Sequence, residues 1–306
     1  MNICTLTKDI CNRFGYEKGL DIIAEAGFES VDFSLFYPVD SGILTESDDM
    51  VCEYFTKMRE MVESRGMYVY QTHSPYPTVV EDHEKNKLIF EALKRSILAS
   101  SVLGARHTVV HPSHRAILPD GSFKKQIYTR DRELTRQTNV EFYSGLIPYL
   151  YKYDMKIAIE NMWANDVAKN NLICPTVCSS PYEMVDYIDT MNSLCRDERF
   201  VACLDVGHTN LSCRDMPVRE FVNVLGRRLK SLHVHDNDGL HDTHTAPGFG
   251  NVDWEGFCLG LKDVGYTGDF VYEAHTFHNT FDDEVVPYSA ALLYQIARKM
   301  CDKYGL

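Results

Sequence analysis

Apolar residues recur along the chain in two alternating rhythms. Short runs of strand-like composition (NICTLT, SVDFSLF, YVYQTH, HTVVHP, KIAIEN, FVACLDV, SLHVHD and FVYEAH) are separated by longer segments in which apolar side chains return every three or four positions. The longer segments, at 16–27, 48–65, 84–103, 129–153, 181–194, 217–227, 254–264 and 284–303, read as amphipathic helices. Leu88, Ile89, Ala92, Leu93 and Ile97 trace one such stripe. Glycines stand where helix passes to strand, as in AEAGFESVDF, VESRGMYVY, ASSVLGARHTVV and KDVGYTGDFVYEAH, where a helix C-cap needs them. No Pro/Ser-rich linker or low-complexity tract divides this alternation. The pattern predicts one α/β domain over 1–306, a single (β/α)8 TIM barrel. The competing arrangement, a doubly wound open sheet, would place a glycine-rich phosphate turn after the first strand, and none is there. GFGNVDW lacks the strand–helix context that would make it a dinucleotide turn.

Active sites of such barrels form at the C-terminal ends of the strands, and here those ends are polar. Strand three ends at His73, strand four at His111, strand five at Glu160, and strand six at Asp205 with His208 close behind. Strand seven ends at His235 and Asp236, and strand eight at Glu273 and His275. One strand-end histidine is ordinarily a hydrogen-bonded structural residue. Glu160, Asp205 and Glu273 on one mouth are a different matter, because carboxylates that close cannot all stay ionised without a cation. A divalent ion held by these three and a neutral His235 would leave a net charge of about −1, which suits Mn²⁺, Mg²⁺, Co²⁺ or Zn²⁺.

Composition narrows the chemistry. The formal net charge is −13, opposite in sign to what counterion release from a nucleic acid backbone rewards, so a small-molecule substrate is expected and nucleic acid is not. The chain has no 18-residue apolar run and opens without a basic segment followed by an apolar one; neither a membrane span nor a secretion signal is expected. Ten cysteines without a CxxC pair, several inside apolar runs, fit a reducing, cytoplasmic setting.

The motifs AIEN, CLDVGH, HVHDND, THTAPGFGNVDW and YEAH resemble, in this order and across the whole chain, those of the xylose isomerase-like TIM-barrel superfamily. That group includes sugar and sugar-phosphate isomerases and epimerases, inositol-catabolism enzymes and the endonuclease IV family. The resemblance to its epimerases implies metal ligands Glu, Asp, His and Glu at the ends of strands five to eight, falling on Glu160, Asp205, His235 and Glu273. The resemblance to endonuclease IV implies up to three zinc ions on nine residues, which would be His73, His111, Glu160, Asp205, His208, His235, Asp242, His244 and Glu273. A second or third metal is therefore kept open. PGFGNVDW is closer to the sugar enzymes, whose corresponding histidines bind substrate hydroxyls.

These readings combine into an expectation. The chain is a divalent-metal-dependent isomerase or epimerase of a ketose or sugar phosphate, with Mn²⁺ preferred. It abstracts a proton next to a carbonyl and passes through a metal-stabilised enediolate, with Glu160 and Glu273 as base and acid. His73, His111, His208, Asp242, His244 and Trp163 are expected to contact substrate, with Phe36 and Tyr76 as further stacking candidates. The alternatives are a lyase acting on an oxidised sugar, resembling C-glycoside deglycosidases that work with a small partner subunit; a zinc phosphodiesterase; and a non-catalytic sugar-binding barrel. The segment 113–137 carries six Lys/Arg against three Asp/Glu and reads either as a lid gripping phosphate or carboxylate through Arg115 or Lys124, or as a solvated loop. The last helix is apolar beyond one stripe, which suggests a homo-oligomer. His241, His275 and His278 have no motif partner.

Overall fold

Each apolar run becomes one stave of a parallel barrel. The computed structural model describes residues 1–80, 82–114, 116–117, 123–124, 131–166 and 172–306. Its strands are β1 (Ile3–Leu6), β2 (Ser30–Ser34), β3 (Tyr68–His73), β4 (Thr108–Val109), β5 (Ile157–Glu160), β6 (Phe200–Asp205), β7 (Leu229–His233) and β8 (Phe270–Tyr272). They pair in parallel in the order β7-β6-β5-β4-β3-β2-β1-β8. A bridge between Val234 and Tyr272 joins the two ends of that sheet, so the ring closes. Two short antiparallel pairs, Ala116–Ile117 with Phe123–Lys124 and Trp163–Asp166 with Leu172–Pro175, follow β4 and β5 on the C-terminal side.

The helices are α1 (Lys8–Ala26), α2 (Asp48–Glu63), α3 (His83–Val102), α4 (Arg132–Lys152), α5 (Pro181–Cys195), α6 (Val206–Ser212), α7 (Val218–Leu225), α8 (Trp254–Asp263), α9 (His275–Asn279) and α10 (Val286–Tyr304). Their apolar faces and the outward faces of the strands form one continuous core, in which Phe55, Leu93, Leu146, Ile188, Phe221, Phe257 and Leu293 are fully buried. No helix among the described residues is long and apolar enough to cross a membrane. On α10, Tyr288 and Leu292 stay exposed.

Three local features depart from the sequence pattern. α1 begins at Lys8, because its first turns are separated from the periodic stretch by Gly15, whose backbone leaves the helical region. α6 and α9 are one- or two-turn helices inside loops, too short to leave a period. β7 ends at His233, with one further bridge at Val234, two residues before the histidine that the pattern gives as its end.

The barrel interior is unusually polar. Val109, Ala158, Val201 and Cys203 form a small apolar layer apart from the main core. Against it lie Asp32, Gln71, His107, Ser231 and His233, each buried. Gln71 Nε2 donates to Asp32 Oδ2 at 2.8 Å, and Ser231 Oγ donates to Gln71 Oε1 at 2.6 Å. His107 Nε2 lies 3.3 Å from the same Gln71 oxygen. Buried polar groups persist only when paired, and the amide of Gln71, with an acceptor and a donor end, joins an acid to two donors.

Candidate functional site

The strand ends deliver two adjoining groups of side chains. In the first, His233 projects from the end of β7 with Nδ1 3.1 Å from Glu160 Oε2 and 3.4 Å from Glu273 Oε2. His111 Nε2 lies 2.9 Å from the same Glu160 oxygen. His73 lies between them, Nε2 3.0 Å from His111 Nε2 and Nδ1 3.5 Å from Glu273 Oε1. Behind His233, its Nε2 faces Asp32 Oδ2 at 3.3 Å.

The second group gathers around Asp242. His244 Nε2 is 3.0 Å and His208 Nε2 3.6 Å from Asp242 Oδ2, and the indole N–H of Trp163 donates to that oxygen at 3.0 Å. His235 Nε2 lies 3.0 Å from Asp205 Oδ1 and 3.7 Å from Asp242 Oδ1, with its ring stacked on His244 at 3.9 Å between centroids. Glu160 joins the groups, since its Oε1 lies 3.4 Å from His208 Nδ1.

Local backbone chemistry holds this geometry. At the ends of β5 and β6, Asn161 clamps Asp205 reciprocally: its Oδ1 accepts Asp205 N–H at 2.7 Å and its Nδ2 donates to Asp205 O at 2.8 Å. Asp205 then caps α6, accepting His208 N–H at 2.7 Å, which sets His208 above the strand end. The HDND stretch divides its labour. Asp236 is a loop organiser, with Oδ1 accepting from Asn237 and Val252 N–H and Oδ2 from Gly248 N–H and the Trp254 indole. The APGFG loop wraps it so closely that a Cβ at Gly250 would lie 2.2 Å from Asn237 O.

Electrostatics separates the two glutamates. Burial would raise the Glu160 carboxyl, but the charges of His233 and His111 outweigh it and hold the group well below the usual carboxylate range. Glu273 is raised, first by burial and then by the neighbouring Glu160 and Asp205, against the opposing His233 and His244. Burial lowers His73 well below its ordinary value, with His111 and His233 adding to the effect. His208 moves the other way: burial opposes its charge, but Asp205 and Asp242 more than compensate.

The donor set fits a cation. Both Glu160 oxygens, His233 Nδ1 and Nε2, His73 Nδ1, His111 Nδ1 and Asp242 Oδ1 are buried without a hydrogen bond of good geometry. Orphaned polar atoms are costly in a protein interior, and where they converge, as the Glu160 oxygens and His233 Nδ1 do, a metal ion would repair the deficit. His73, His111 and Glu160 bring ligand atoms within 4.8 Å of one another, as do His208, His235, Asp242 and His244.

Of the residues expected from sequence to hold a metal, Glu160 and Glu273 meet at His233. Asp205 and His235 pair with each other beside Asp242. The expected substrate contacts divide likewise: His73 and His111 stand in the first group, and His208, Asp242, His244 and Trp163 in the second. His233 and Asp32 were missed, because HVH offers two candidate histidines of equal parity and an aspartate on β2 has no motif around it. Above both groups lies a cavity of about 530 Å³ lined by Lys8, Phe36, Tyr76, Trp163 and His275 together with His73, His111, Glu160, His208, Asp242, His244 and Glu273. Phe36 packs on His73 and Tyr76 on His111, with centroids 4.6 and 4.8 Å apart. His241 is exposed and paired with Asp238, and His278 is buried against Ser289. Arg115 and the side chain of Lys124 lie outside the described residues.

Among known proteins, an uncharacterized protein of Methanocaldococcus jannaschii is 24% identical over 231 residues, 72% of this chain and 71% of that one. Fructoselysine 3-epimerase of Escherichia coli O157:H7 is 36% identical over 62 residues, 20% of this chain and 22% of the enzyme. A crystal structure of a D-tagatose 3-epimerase-like protein superposes with a TM-score of 0.70 at 19% identity, covering 100% of this chain and 98% of that one. The sequence pattern of one family matches residues 20–296, and with the barrel and its polar strand ends it identifies the chain as a member of the xylose isomerase-like TIM barrel family.

Proposed function

We propose that this chain is a divalent-metal-dependent epimerase or isomerase of ketoses or related keto-sugars, with Mn²⁺ the preferred ion. One observation carries the reading: Glu160 and Glu273 meet at His233 Nδ1, with that nitrogen and both Glu160 oxygens buried without a hydrogen bond, under a cavity large enough for a sugar. The fructoselysine 3-epimerase that matches 62 residues of the chain supports it. Glu160, Glu273 and His233 would hold the ion, Asp205 completing the set from β6. His235, the histidine assigned from the motifs, faces Asp205 instead. When bound, the ion polarises a substrate carbonyl and neutralises charge developing on its oxygen.

The remaining work belongs to the protein. Glu160 is the base that removes the proton from the carbon beside the carbonyl. Glu273, through the carboxylate oxygen left free of the ion, returns a proton to that carbon from the other face, and the stereocentre inverts. His73 and His111 present ring nitrogens at the cavity floor for hydroxyl oxygens. Phe36 and Tyr76 offer apolar surface to the sugar ring and exclude water. Trp163 has its N–H committed to Asp242, so it contributes a ring edge rather than a donor.

A second ion at Asp242 is also proposed, on a separate observation. His208 Nδ1 faces the carbonyl of Asn161 at 2.8 Å, and His244 Nδ1 that of Glu273 at 2.9 Å. A carbonyl only accepts, so each Nδ1 carries the proton and each Nε2 of a neutral ring presents a lone pair to Asp242. Lone pair facing carboxylate needs a proton or a metal between them.

The test is elemental analysis of metal-repleted protein, with activity screened over ketoses, ketose phosphates and keto-glycosides before and after chelation. One or two divalent ions per chain, with epimerisation lost on chelation and restored by Mn²⁺, is the expected result. Repleted protein without stoichiometric metal would overturn the reading.

A further inference from the structure

The opposite end of the barrel holds a cavity that the chemistry at the mouth does not use. It lies where β4, β5, β7 and β8 begin, has a volume of about 200 Å³, and has no Asp or Glu among its lining residues. Four cationic residues do line it: Arg106, Lys156, Arg227 and Lys230. In a chain of net charge −13 this is a local inversion of sign. Arg227 is paired with Glu198 at 2.6 Å. Arg106, Lys156 and Lys230 make no ion pair among the described residues.

Two further observations show that the cavity is built rather than left over. His107, 3% exposed, forms its inner wall, and its charged form is suppressed to a pKa of about 3, first by burial and then by the fields of Arg106, His233 and Lys156. Arg106 and Lys156 therefore act on one point at the inner wall, and a neutral imidazole faces them there. The outer wall is set by Tyr70 and Tyr266, whose hydroxyls are 3.5 Å apart and donate to the carbonyls of Lys230 and Asp269. Gly268 is what admits them, since a Cβ at this position would lie 2.2 Å from both phenolic oxygens. Arg106 stacks on the Tyr70 ring, with Cζ 5.4 Å from its centroid, which restrains the guanidinium beside the cavity. The nearby Asp269 carboxylate is occupied by the hydroxyls of Ser30 and Tyr68.

We propose that this basal cavity binds a doubly charged tetrahedral oxyanion, either orthophosphate or the phosphoryl group of a small phosphomonoester. Three cations without an ion pair among the described residues match a dianion better than a single carboxylate, and the volume admits a phosphoryl group with a few carbon atoms. The site is independent of the metal centre and of the reaction proposed there.

Calorimetric titration of the metal-loaded protein with orthophosphate and with a three-carbon phosphomonoester, against chloride at matched ionic strength, tests this. Saturable binding of one anion per chain is expected, weakened at least ~10-fold in Arg106→Ala/Lys156→Ala, as loss of charge-assisted hydrogen bonds implies. Arg106→Lys/Lys156→Arg should retain most of the affinity, and Glu160→Gln at the mouth should bind as wild type does. If the double alanine variant does not fold, Lys230→Ala, at an exposed position, supplies the charge removal instead. A phosphomonoester at least ~10-fold tighter than orthophosphate identifies an organic phosphate as the ligand, and equal affinities identify free phosphate. The proposal fails if the heat follows ionic strength without saturating, if the basal variants bind like wild type, or if binding disappears in Glu160→Gln.

Discussion

The Asp32 carboxylate stands 3.3 Å behind the His233 imidazole, on the side away from Glu160 and Glu273. Asp32 is itself held by the Gln71 amide, so an acid from β2 and an amide from β3 orient a histidine from β7 across the barrel interior. The Asp32 carboxylate favours the proton on the facing Nε2, which would leave Nδ1 with its lone pair directed at the two glutamates, the arrangement that orients and strengthens a metal-binding histidine.

Asp32→Ala should therefore weaken metal binding by ~10- to 100-fold, the usual effect of losing such a partner. Asp32→Asn should be milder. Chelator competition reads the affinity directly, without reference to turnover. Unchanged affinity in Asp32→Ala would show that His233 does not need this orientation to hold the ion.

The two histidines of HVH make opposite predictions. His233→Ala should remove the ion held with Glu160 and Glu273. His235→Ala should leave that ion in place and loosen the pairing of Asp205 and Asp242. Loss of the first ion in His235→Ala and its retention in His233→Ala would return the ligand role to His235, as the motifs alone suggest.

The ion proposed at Asp242 can be removed separately. Asp242→Asn and His244→Ala should each lower the metal content of repleted protein by one ion per chain and leave the Glu160 ion bound. Equal metal content in variants and wild type would make the second group a proton-sharing cluster. The raised pKa of His244, about 9, would then be its operating state, set against burial by Asp242 and Glu273.

Stability toward acid should carry a signature of His278. Burial and the nearby Arg13 lower its pKa from 6.5 to about 4, so it is neutral in the folded protein while the unfolded chain protonates near 6.5. Between those values the unfolded state binds more protons, and stability falls as pH drops from 6.5 to about 4, then flattens for this group. The contribution is about 3 kcal/mol in full. Denaturant unfolding of His278→Gln over that range should show a shallower decline than wild type. Parallel curves would place the titration elsewhere.

Much of this was legible in the chain. Strand and helix positions followed from periodicity, since a barrel strand must be apolar and its helix amphipathic. The polar strand ends stood out because Glu160, Asp205 and Glu273 interrupt apolar runs at equivalent places. The hidden parts depend on contacts across the barrel. Asp32 sits in SVDFS, where alternation shows only that it shares a face, and Gln71 in YVYQTH looks like any polar residue near a strand end. Their meaning arises only when β2, β3 and β7 enclose a common interior. The choice between His233 and His235 was hidden for a related reason. Both have the same parity; His233 ends β7 and faces the two glutamates, while His235, beyond the bridge at Val234, faces Asp205.

Incubation of the metal-loaded protein with its ketose in D₂O tests the proton-abstraction account most directly. Deuterium should enter at the carbon beside the carbonyl in both product and recovered substrate. At matched metal occupancy, Glu160→Gln and Glu273→Gln should each slow that exchange by at least ~10²-fold, the contribution of a positioned acid or base. Epimerised product carrying no solvent deuterium, at full turnover, would contradict the account and point to transfer of the hydrogen within the substrate.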